Sequence, residues 1–279
     1  AVMTGLACLA WRRANSLSHL ASRITALNVI ALDGNGGHFD EGLFLAKPLP
    51  GQQRVAARIR EDLGESCSDT RLQDRYSLRC APHVIGVLED ALPFFGQQIE
   101  NELNSANDNP LLDPETGRVL HGGHFYGGHI AFAMDCLKQA FANIADLLDR
   151  QLALLVDVRQ SHGLPPNLSG LTGSRAPIGH GLKALQISVS AWTAEALKLC
   201  MPASVFSRST ECHNQDKVSL GTIAARDCLR ILDLTEQVVA AMLIAARQAV
   251  ALRQRVRPSL QLSHRLSLFY SRLEAHLPL

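Results

Sequence analysis

The sequence feature that most constrains the fold is a long apolar run at residues 128–160, in which polar side chains recur only every third or fourth position. That spacing is the period of an α-helix, and at 1.5 Å per residue the run would form a helix about 50 Å long. Because apolar residues fill nearly all the other positions, such a helix must be buried on most of its sides. The polar positions are Asp135, Lys138, Gln139, Asn143, Asp146, Asp149, Arg150 and Asp157.

Other segments carry the same helical period. The sequence predicts further helices over residues 1–31, 52–63, 83–105, 182–199, 215–255 and 260–276, and a polar loop over residues 64–71. Pro82 suits the first turn of a helix, whereas Pro93 lies inside the 83–105 run and is expected to kink or divide it. No segment alternates as a strand does. The predicted fold class is therefore all-α, a bundle of long, roughly antiparallel helices in a single domain over residues 1–279.

Composition and charge exclude several classes of protein. Of the 279 residues, 47% are hydrophobic and 19% are charged, which is enough to bury a large core, and the net charge is +1. Because no run of like charge occurs, nucleic acid and anionic membrane are poor candidates as partners. No uninterrupted apolar stretch reaches the length of a membrane span without charges.

The cysteines are scattered, odd in number, and never spaced as Cys-x-x-Cys. We interpret them as buried, reduced thiols of a cytoplasmic protein, not as a disulfide framework or a zinc site. The start of the chain has no signal-peptide pattern, since Trp11-Arg12-Arg13 follow only ten mildly apolar residues. The cysteines are Cys8, Cys67, Cys80, Cys136, Cys200, Cys212 and Cys228.

Residues 73–80, Gln-Asp-Arg-Tyr-Ser-Leu-Arg-Cys, place a phenol and a guanidinium between two helical runs. The guanidinium of Arg79 can bind a carboxylate through two parallel hydrogen bonds and stays charged. Tyr76, three residues earlier, would share a helical face with it. This pair could grip a small carboxylic acid and supply a hydroxyl for proton transfer. The alternative is an ordinary ion pair at a helix start, with Tyr76 as a cap.

A long segment without periodicity follows at residues 107–128, and segments of that kind are usually functional or disordered. Residues 104–110, just before and within it, carry three asparagines and an aspartate, which also suits a plain Asx turn. The glycines around Phe125 let the backbone approach a ligand closely, with the ring free to stack, or they form a flexible hinge. The histidines here match no specific metal motif, so no metal site is predicted.

Residues 211–216, Glu-Cys-His-Asn-Gln-Asp, stand at the predicted start of the helix over residues 215–255. Helix N-termini favour acids and bind anions, which makes this segment a candidate anion site. An N-cap at Asn214 followed by a first-turn Asp216 explains the pattern equally well.

Taken in order, four segments resemble the aromatic amino-acid ammonia-lyase family, which includes histidine, phenylalanine and tyrosine ammonia-lyases and related aminomutases. The resemblance covers most of the chain and implies an all-α homotetramer whose active sites are built from more than one subunit. It also implies elimination of ammonia from an α-amino acid to leave an α,β-unsaturated acid. In the family the electrophile is a methylidene-imidazolone (MIO) ring made from Ala-Ser-Gly. The four segments are residues 73–80, 104–110, 121–127 and 214–221.

The resemblance assigns roles to individual residues of the earlier segments. Arg79 would hold the substrate carboxylate, and Tyr76 would lie beside the electrophile and the departing amine as a catalytic residue. Gln73 and Asn109 would complete the polar wall near the carboxylate and the prosthetic ring. Phe125 would pack near that ring and the substrate.

The last segment matches positions on the far side of the family's site. Glu211, a second catalytic residue by resemblance, and Asn214 match positions that line the amine and ring region. Gln215 matches a position that faces the substrate side chain and is a glutamate in histidine-specific members. An uncharged amide there favours tyrosine or phenylalanine over histidine as the substrate.

Two departures from the family pattern bear on activity. The usual Gly-Gly-Asn-Phe is here Gly122-Gly123-His124-Phe125, which replaces a small amide by a titratable ring. The chain contains no Ala-Ser-Gly, and its opening residues resemble a family segment that lies downstream of the electrophile. We therefore expect the C-terminal portion of a lyase, which needs the missing N-terminal part for activity.

Two other interpretations stay open on the sequence. An aminomutase of the same family would return the ammonia to the neighbouring carbon. A non-catalytic helical remnant, or an oligomerisation partner that lends site residues to another subunit, is the alternative outside catalysis. The retained polar residues argue against a remnant, whereas the missing electrophile and His124 argue for one.

Overall fold

The computed structural model describes residues 1–66 and 71–277. Helix dominates them, as the periodicity of the sequence predicts. The helices are α1 (Val2–Ala31), α2 (Glu41–Leu45), α3 (Pro50–Leu63), α4 (Tyr76–Arg79), α5 (Ala81–Leu103), α6 (Gly128–Val156), α7 (Lys183–Lys198), α8 (Gly221–Val256) and α9 (His264–His276). Short 3₁₀ turns connect several of them.

The three longest helices, α1, α6 and α8, run side by side in the same direction. Near the start of α1, Arg13 Nη2 lies 2.6 Å from Glu236 Oε2 of α8. At the other end of α1, Arg253 of α8 donates from Nε to the carbonyl oxygen of Ala31 at 2.8 Å. A guanidinium at this place satisfies a carbonyl that the helix itself leaves without a partner.

Helices α5 and α7 run against these three. Trp11 Nε1 of α1 donates to the carbonyl oxygen of Leu92 at 2.8 Å, and Ser18, two turns later in α1, bonds Glu89, which is earlier in α5. α7 returns along α6 in the same manner. The prediction of an all-α bundle of long helices is confirmed, with the antiparallel pairs supplied by α5 and α7.

Small residues let the central helices approach each other closely. Ala7, Ala10 and Ala14 of α1 are fully buried, and they recur at the three- and four-residue spacing of one helix face. α6 is covered on most of its circumference, as its apolar sequence requires. The polar positions Asp135, Lys138 and Asp149 of α6 are themselves buried, which the periodicity did not indicate.

Pro93 does not divide α5, contrary to one of the two predicted outcomes, because the helix is continuous from Ala81 to Leu103. A proline removes the N–H that would bond the carbonyl four residues earlier, which is that of Glu89. Arg54 Nη2 donates to that carbonyl oxygen at 3.1 Å. A side chain from α3 therefore replaces the missing backbone hydrogen bond.

Several other local features differ from the prediction, and two of them bear on the candidate functional residues. The segment over residues 107–128 contains a small hairpin in which β1 (Leu111–Leu112) pairs antiparallel with β2 (Val119–Leu120), so the expectation of no strand was wrong there. α8 begins at Gly221, not at Gln215, because residues 210–215 fold back on themselves. Strands of two residues are too short to show alternation in a sequence.

The predicted polar loop over residues 64–71 includes residues 67–70, which lie outside the described part of the chain, as does Cys67. The other six cysteines are free thiols, but only Cys228 is buried. The prediction of burial was wrong for Cys212, which is exposed, and for the other four, which are half-buried. Among the described helices, none is both long enough and apolar enough to cross a membrane.

Candidate active site

A cavity of about 630 Å³ lies where α1, α6 and α8 all begin. Four of the residues singled out from the sequence line it, namely Asn109, Phe125, Asn214 and Gln215. Their segments are far apart in the chain, and the shared direction of the three helices brings them to one end of the bundle. We call these four residues, together with Glu211 on the adjoining turn, the cavity group.

Close packing at the helix starts forms the floor of this cavity. Met3 of α1 lies between Gly127, before α6, and Gly221, the first residue of α8. A Cβ atom on either glycine would collide with the Met3 side chain. Gly127 also has φ 61°, a left-handed conformation that favours glycine. Both glycines thus allow three helix starts to meet at one point.

Residues 207–218, which we call the site loop, form one wall of the cavity. Its base is closed by Ser207, whose Oγ accepts a hydrogen bond from the Val218 N–H at 2.9 Å. Thr210 and Gln215 form an antiparallel bridge, with N–O distances of 2.8 and 3.2 Å. Gln215 is therefore held by its backbone at the edge of the cavity while its side chain is exposed.

The turn of the site loop is left-handed over three successive residues. Glu211, Cys212 and His213 have φ values of 51°, 51° and 70°, which L-residues other than glycine rarely adopt. Ser209 Oγ lies 2.8 Å from His213 Nδ1 across this turn. Strained backbone of this kind persists where the surroundings hold it, and it clusters at functional sites.

The site loop corrects the prediction made for residues 211–216. Neither Asn214 nor Asp216 caps or begins α8, whose N-cap is Leu220. The N–H of Asn214 bonds back to the carbonyl of Glu211 at 3.0 Å instead. The interpretation of this segment as an anion site at a helix N-terminus, and the alternative of a plain N-cap, were both wrong.

The opposite wall comes from the segment before α6. Asn109 Oδ1 accepts from the Gly122 N–H at 3.0 Å, which fixes the amide and leaves its Nδ2 without a partner among the described residues. The Phe125 ring is 61% exposed and lines the cavity. His124 does not line it; its Nδ1 lies over Gly122, 3.2 Å from where a Cβ would sit.

The second set of predicted site residues, Gln73, Tyr76 and Arg79, lies elsewhere, and we call it the arginine group. A buried carboxylate, Asp74, holds this segment to the C-terminal end of α1. Its Oδ2 accepts from the Asn35 N–H at 2.7 Å, and its backbone N–H donates to His38 Nε2 at 2.9 Å.

The environment of His38 keeps its imidazole in the accepting form. Burial lowers the pKa of His38 below its usual value, and Arg79 lowers it further, although Asp74 opposes both effects. A neutral ring with Nε2 unprotonated is the form that can accept the Asp74 N–H. The sequence carried no signal of this contact, because His38 lies far upstream of the motif.

Arg79 and Tyr76 are adjacent, as their spacing predicts. The guanidinium carbon of Arg79 lies 4.4 Å from the centre of the Tyr76 ring, a cation–π contact. Arg79 Nε donates to the carbonyl oxygen of Asp74 at 2.9 Å. Within the described residues its partners are a ring and a carbonyl, which contradicts the alternative of an ordinary ion pair. The two terminal guanidinium nitrogens make no hydrogen bond within the described residues.

The two groups lie at opposite ends of α1. The cavity group surrounds Ala1, Val2 and Met3, whereas the arginine group is anchored beside Asn35. α1 has 30 residues, so its length of about 45 Å separates them. A single chain therefore does not bring all eight predicted residues together. Tyr76 and Phe125 are also largely exposed, at 69% and 61%.

Sequence reasoning missed some of the residues that line the cavity. Tyr126 and Lys217 both do so, and each adjoins a residue that was singled out, so the motifs themselves were the available signal. Within the described residues, no group of three or more His, Cys, Asp or Glu side chains is placed to hold a metal ion.

Comparison with known proteins identifies relatives along nearly the whole chain. The profile of the family described as aromatic amino acid lyase matches residues 1–275. A histidine ammonia-lyase of Bacillus subtilis is 38% identical over 256 residues, which are 90% of this chain and 49% of that protein. A tyrosine ammonia-lyase of Cereibacter sphaeroides is 37% identical over 274 residues, covering 90% of this chain and 51% of that protein.

Solved structures that superpose on this chain include enzymes of the same kind. A phenylalanine aminomutase of Pantoea agglomerans superposes with a TM-score of 0.89 at 32% identity, over 99% of this chain and 57% of that one. The chain spans about half the length of the curated relatives it matches.

Proposed function

The chain belongs to the aromatic amino acid lyase family, and we propose that it supplies most of the substrate-binding side chains of an ammonia-lyase acting on tyrosine or phenylalanine. The observation that carries this proposal is the cavity where Asn109, Phe125, Asn214 and Gln215 converge. Motifs that are far apart in the sequence come together there, around a space that accommodates an amino acid.

The MIO ring, if it is present, would have to come from a segment outside these 279 residues, since they contain no Ala-Ser-Gly. The cavity fits such a ring. Asn109 presents an amide nitrogen without a partner among the described residues, and Phe125 offers an exposed flat face. The ring would supply an electrophile that activates the substrate amine for departure.

The predicted site residues of this chain then have distinct chemical roles. The two terminal nitrogens of Arg79 have no hydrogen-bond partner in the part of the chain that the structure describes, which suits a bidentate grip on the substrate carboxylate. Tyr76, held against that guanidinium, presents its hydroxyl for proton transfer near the reacting carbon and amine. Glu211 would accept or return a proton on the amine side, and Asn214 would orient that end of the substrate.

We propose that each site is assembled from more than one chain, as in a homotetramer. The arginine group and the cavity group are separated by the length of α1, whereas an amino acid is far shorter. Both can contact one substrate only if they come from different chains. The exposure of Tyr76 and Phe125 fits surfaces that another chain covers.

The preference for tyrosine or phenylalanine rests on Gln215 at the cavity edge. A glutamate there would favour an imidazole that carries positive charge, whereas an amide favours a neutral aromatic ring. The relatives include enzymes named for histidine and for tyrosine, and both match this chain at similar identity.

The test uses the complete lyase, by which we mean this chain assembled with the polypeptide that carries Ala-Ser-Gly. Ultraviolet absorbance of the unsaturated acid should give a higher kcat/KM for tyrosine or phenylalanine than for histidine. Gln215→Glu should narrow or reverse that ratio, whereas Gln97→Glu, on exposed α5 surface, should leave it unchanged. A wild-type preference for histidine would refute the substrate assignment.

An aminomutase is the second candidate, supported by the superposition with the Pantoea agglomerans phenylalanine aminomutase, which is as close as that with a histidine ammonia-lyase. Product analysis separates the two activities. Chromatography of the reaction with phenylalanine or tyrosine would show a β-amino acid for a mutase and free ammonia with the unsaturated acid for a lyase. We expect the latter, and no turnover from the 279-residue chain alone.

A further inference from the structure

A buried ion pair in α6 has no place in the function proposed above. Lys138 is fully buried, and its Nζ lies 2.7 Å from Oδ1 of Asp135, one helical turn earlier. Taking two charges out of water is costly, and their attraction often does no more than offset that cost. Net stabilisation by the ion pair therefore does not explain why it is buried. Its other hydrogen-bond partners indicate its role.

The remaining hydrogen-bonding capacity of the pair goes to one short segment after α7. Lys138 Nζ donates to the carbonyl oxygen of Met201 at 2.7 Å. Asp135 accepts from the Ala203 N–H through Oδ1 and from the Ser204 N–H through Oδ2, each at 3.0 Å. Three backbone groups within four residues are thus held by two adjacent side chains.

This segment has few other anchors. Pro202 has no N–H, and the following 3₁₀ turn, Ala203–Phe206, is a single turn. Val205 and Phe206, which continue the chain, are 66% and 51% exposed, so they do little to fix its course. The ion pair is the last buried anchor before the site loop begins at Ser207.

The geometry points to a positioning role, and we propose that the Asp135–Lys138 pair holds the site loop, and through it Glu211, Asn214 and Gln215, in place. Ser207 lies three residues after Ser204 and closes the loop base through its bond to the Val218 N–H. The left-handed turn at residues 211–213 is unfavourable by itself and depends on a fixed base. The catalytic meaning of this role rests on the proposed function.

Hydrogen exchange of the 279-residue chain, read by mass spectrometry on peptides, tests the positioning role without any activity. The double variant Asp135→Asn/Lys138→Met removes both charges and keeps the buried volume. We expect amide exchange in residues 207–218 to accelerate at least tenfold, while peptides of α1 and α8 change less than twofold. Alkylation of Cys212, the exposed thiol of the loop, should show a changed rate in the same variant.

A matched control lies on the same helix. Asp149 is also buried and accepts from Ser190 Oγ at 2.8 Å, but it bonds no residue of the loop or its approach. Asp149→Asn should lower overall stability without accelerating exchange in residues 207–218. If the double variant leaves loop exchange within twofold of the wild type, or if Asp149→Asn produces the same acceleration, the positioning role is refuted.

A second variant covers the case in which the double variant does not fold. Ala203→Pro removes one donor to Asp135 and leaves the ion pair intact, and Pro202 already has the ψ of 126° that a following proline requires. Exchange in the loop should rise several-fold, and an unchanged rate would overturn the proposal. In the complete lyase, a loosened loop with unchanged kcat would instead remove Glu211 from the site and contradict the proposed function.

Discussion

The left-handed turn of the site loop places unusual demands on its residues. Each L-residue in this conformation costs roughly 1–2 kcal/mol, and three such residues follow each other at positions 211–213. Glycine adopts the same φ without that cost. Substituting glycine in this turn therefore tests whether its backbone is left-handed.

Cys212→Gly should be neutral or should raise the free energy of unfolding by up to about 1 kcal/mol, because φ 51° suits glycine. The matched control is Cys8→Gly, inside α1, which should lose about 0.5 kcal/mol or more. Urea denaturation followed by circular dichroism measures both. A destabilisation of the same size at the two positions would show that the turn is not left-handed.

Arg79 is the residue whose role in turnover can be tested most sharply. In the complete lyase, Arg79→Ala should lower kcat/KM by roughly 100-fold, corresponding to ~3 kcal/mol for two hydrogen bonds to a carboxylate. Arg79→Lys keeps the charge but not the planar fork, so it should restore only part of the loss.

The control for Arg79 is Arg159→Ala, since Arg159 is 82% exposed and, among the described residues, pairs only with nearby Asp157. Its kcat/KM should stay within twofold of the wild type. Near-normal kinetics in Arg79→Ala would remove Arg79 from the site.

At the scale of the elements, the contact between α3 and α5 depends on glycine. A Cβ on Gly86 would lie 2.6 Å from the backbone nitrogen of Gln52, and backbone atoms cannot move aside as a side-chain tip can. Gly5, in α1, has no atom of the described residues within 4 Å of the equivalent position. The two glycines share a helical environment but differ in what faces them.

Gly86→Ala should therefore destabilise the chain by about 1–3 kcal/mol, as overpacking does. Gly5→Ala should stabilise it by about 1 kcal/mol, because alanine has the higher helix propensity. Thermal unfolding of both variants measures the contrast. Stabilisation of similar size in both would mean that α3 and α5 do not approach as closely as the structure shows.

The positions of the helices were predictable from periodicity, but their boundaries and directions were only partly so. The run at residues 128–160 becomes α6 because burial on nearly all sides demands that composition. The start of α8 was placed six residues early, since nothing in residues 215–220 reveals that Gln215 pairs backward with Thr210. Helix α5 continues through Pro93 because Arg54, from α3, donates a hydrogen bond to the carbonyl oxygen of Glu89, which the proline leaves without its backbone donor.

The candidate site, too, was predictable from the sequence only in part. Motifs pointed to Asn109, Phe125, Asn214 and Gln215, and the fold does bring these four together. Spacing could not show that Tyr76 and Arg79 belong to the other end of the bundle. That depends on α5 running against α1, α6 and α8, a property of tertiary packing.

For the whole molecule, buried titratable groups set the stability at acid pH. His38 and His83 have pKa values lowered by burial, so the unfolded chain binds protons more readily than the folded one. As pH falls through the ordinary value of 6.5, stability is therefore lost. Each such proton contributes a slope of up to about 1.4 kcal/mol per pH unit.

Carboxylates extend this loss to lower pH. Burial raises the pKa of Asp135, but hydrogen bonds from Lys138 and Ser204 outweigh it, so the pKa lies below the usual value. The stability that comes with this lowered pKa is present above the ordinary carboxyl range and disappears as pH falls through the folded-state pKa.

Urea midpoints should accordingly be constant from about pH 8 to 7, begin to fall near pH 6.5, and fall further in the carboxyl range. His38→Asn keeps a side-chain acceptor for the Asp74 N–H but does not titrate, so its midpoint should fall less between pH 6.5 and 5. An identical profile in this variant would show that His38 is protonated equally in both states.

The composite site is the central claim at this scale, because α1 keeps the arginine group and the cavity group apart within one chain. If each site draws these groups from different chains, a defect in one group can be complemented by a chain with a defect in the other. A site within one chain offers no such rescue.

The most direct test is to co-express Arg79→Ala and Asn214→Ala forms of the complete lyase and measure turnover of the mixed assembly. In a random equal mixture, half the chains contribute an intact Arg79 and half contribute an intact Asn214, so about one quarter of composite sites should be intact. Activity near a quarter of the wild type, from two nearly inactive variants, is the result expected here. Activity no higher than that of the separate variants would contradict the composite site.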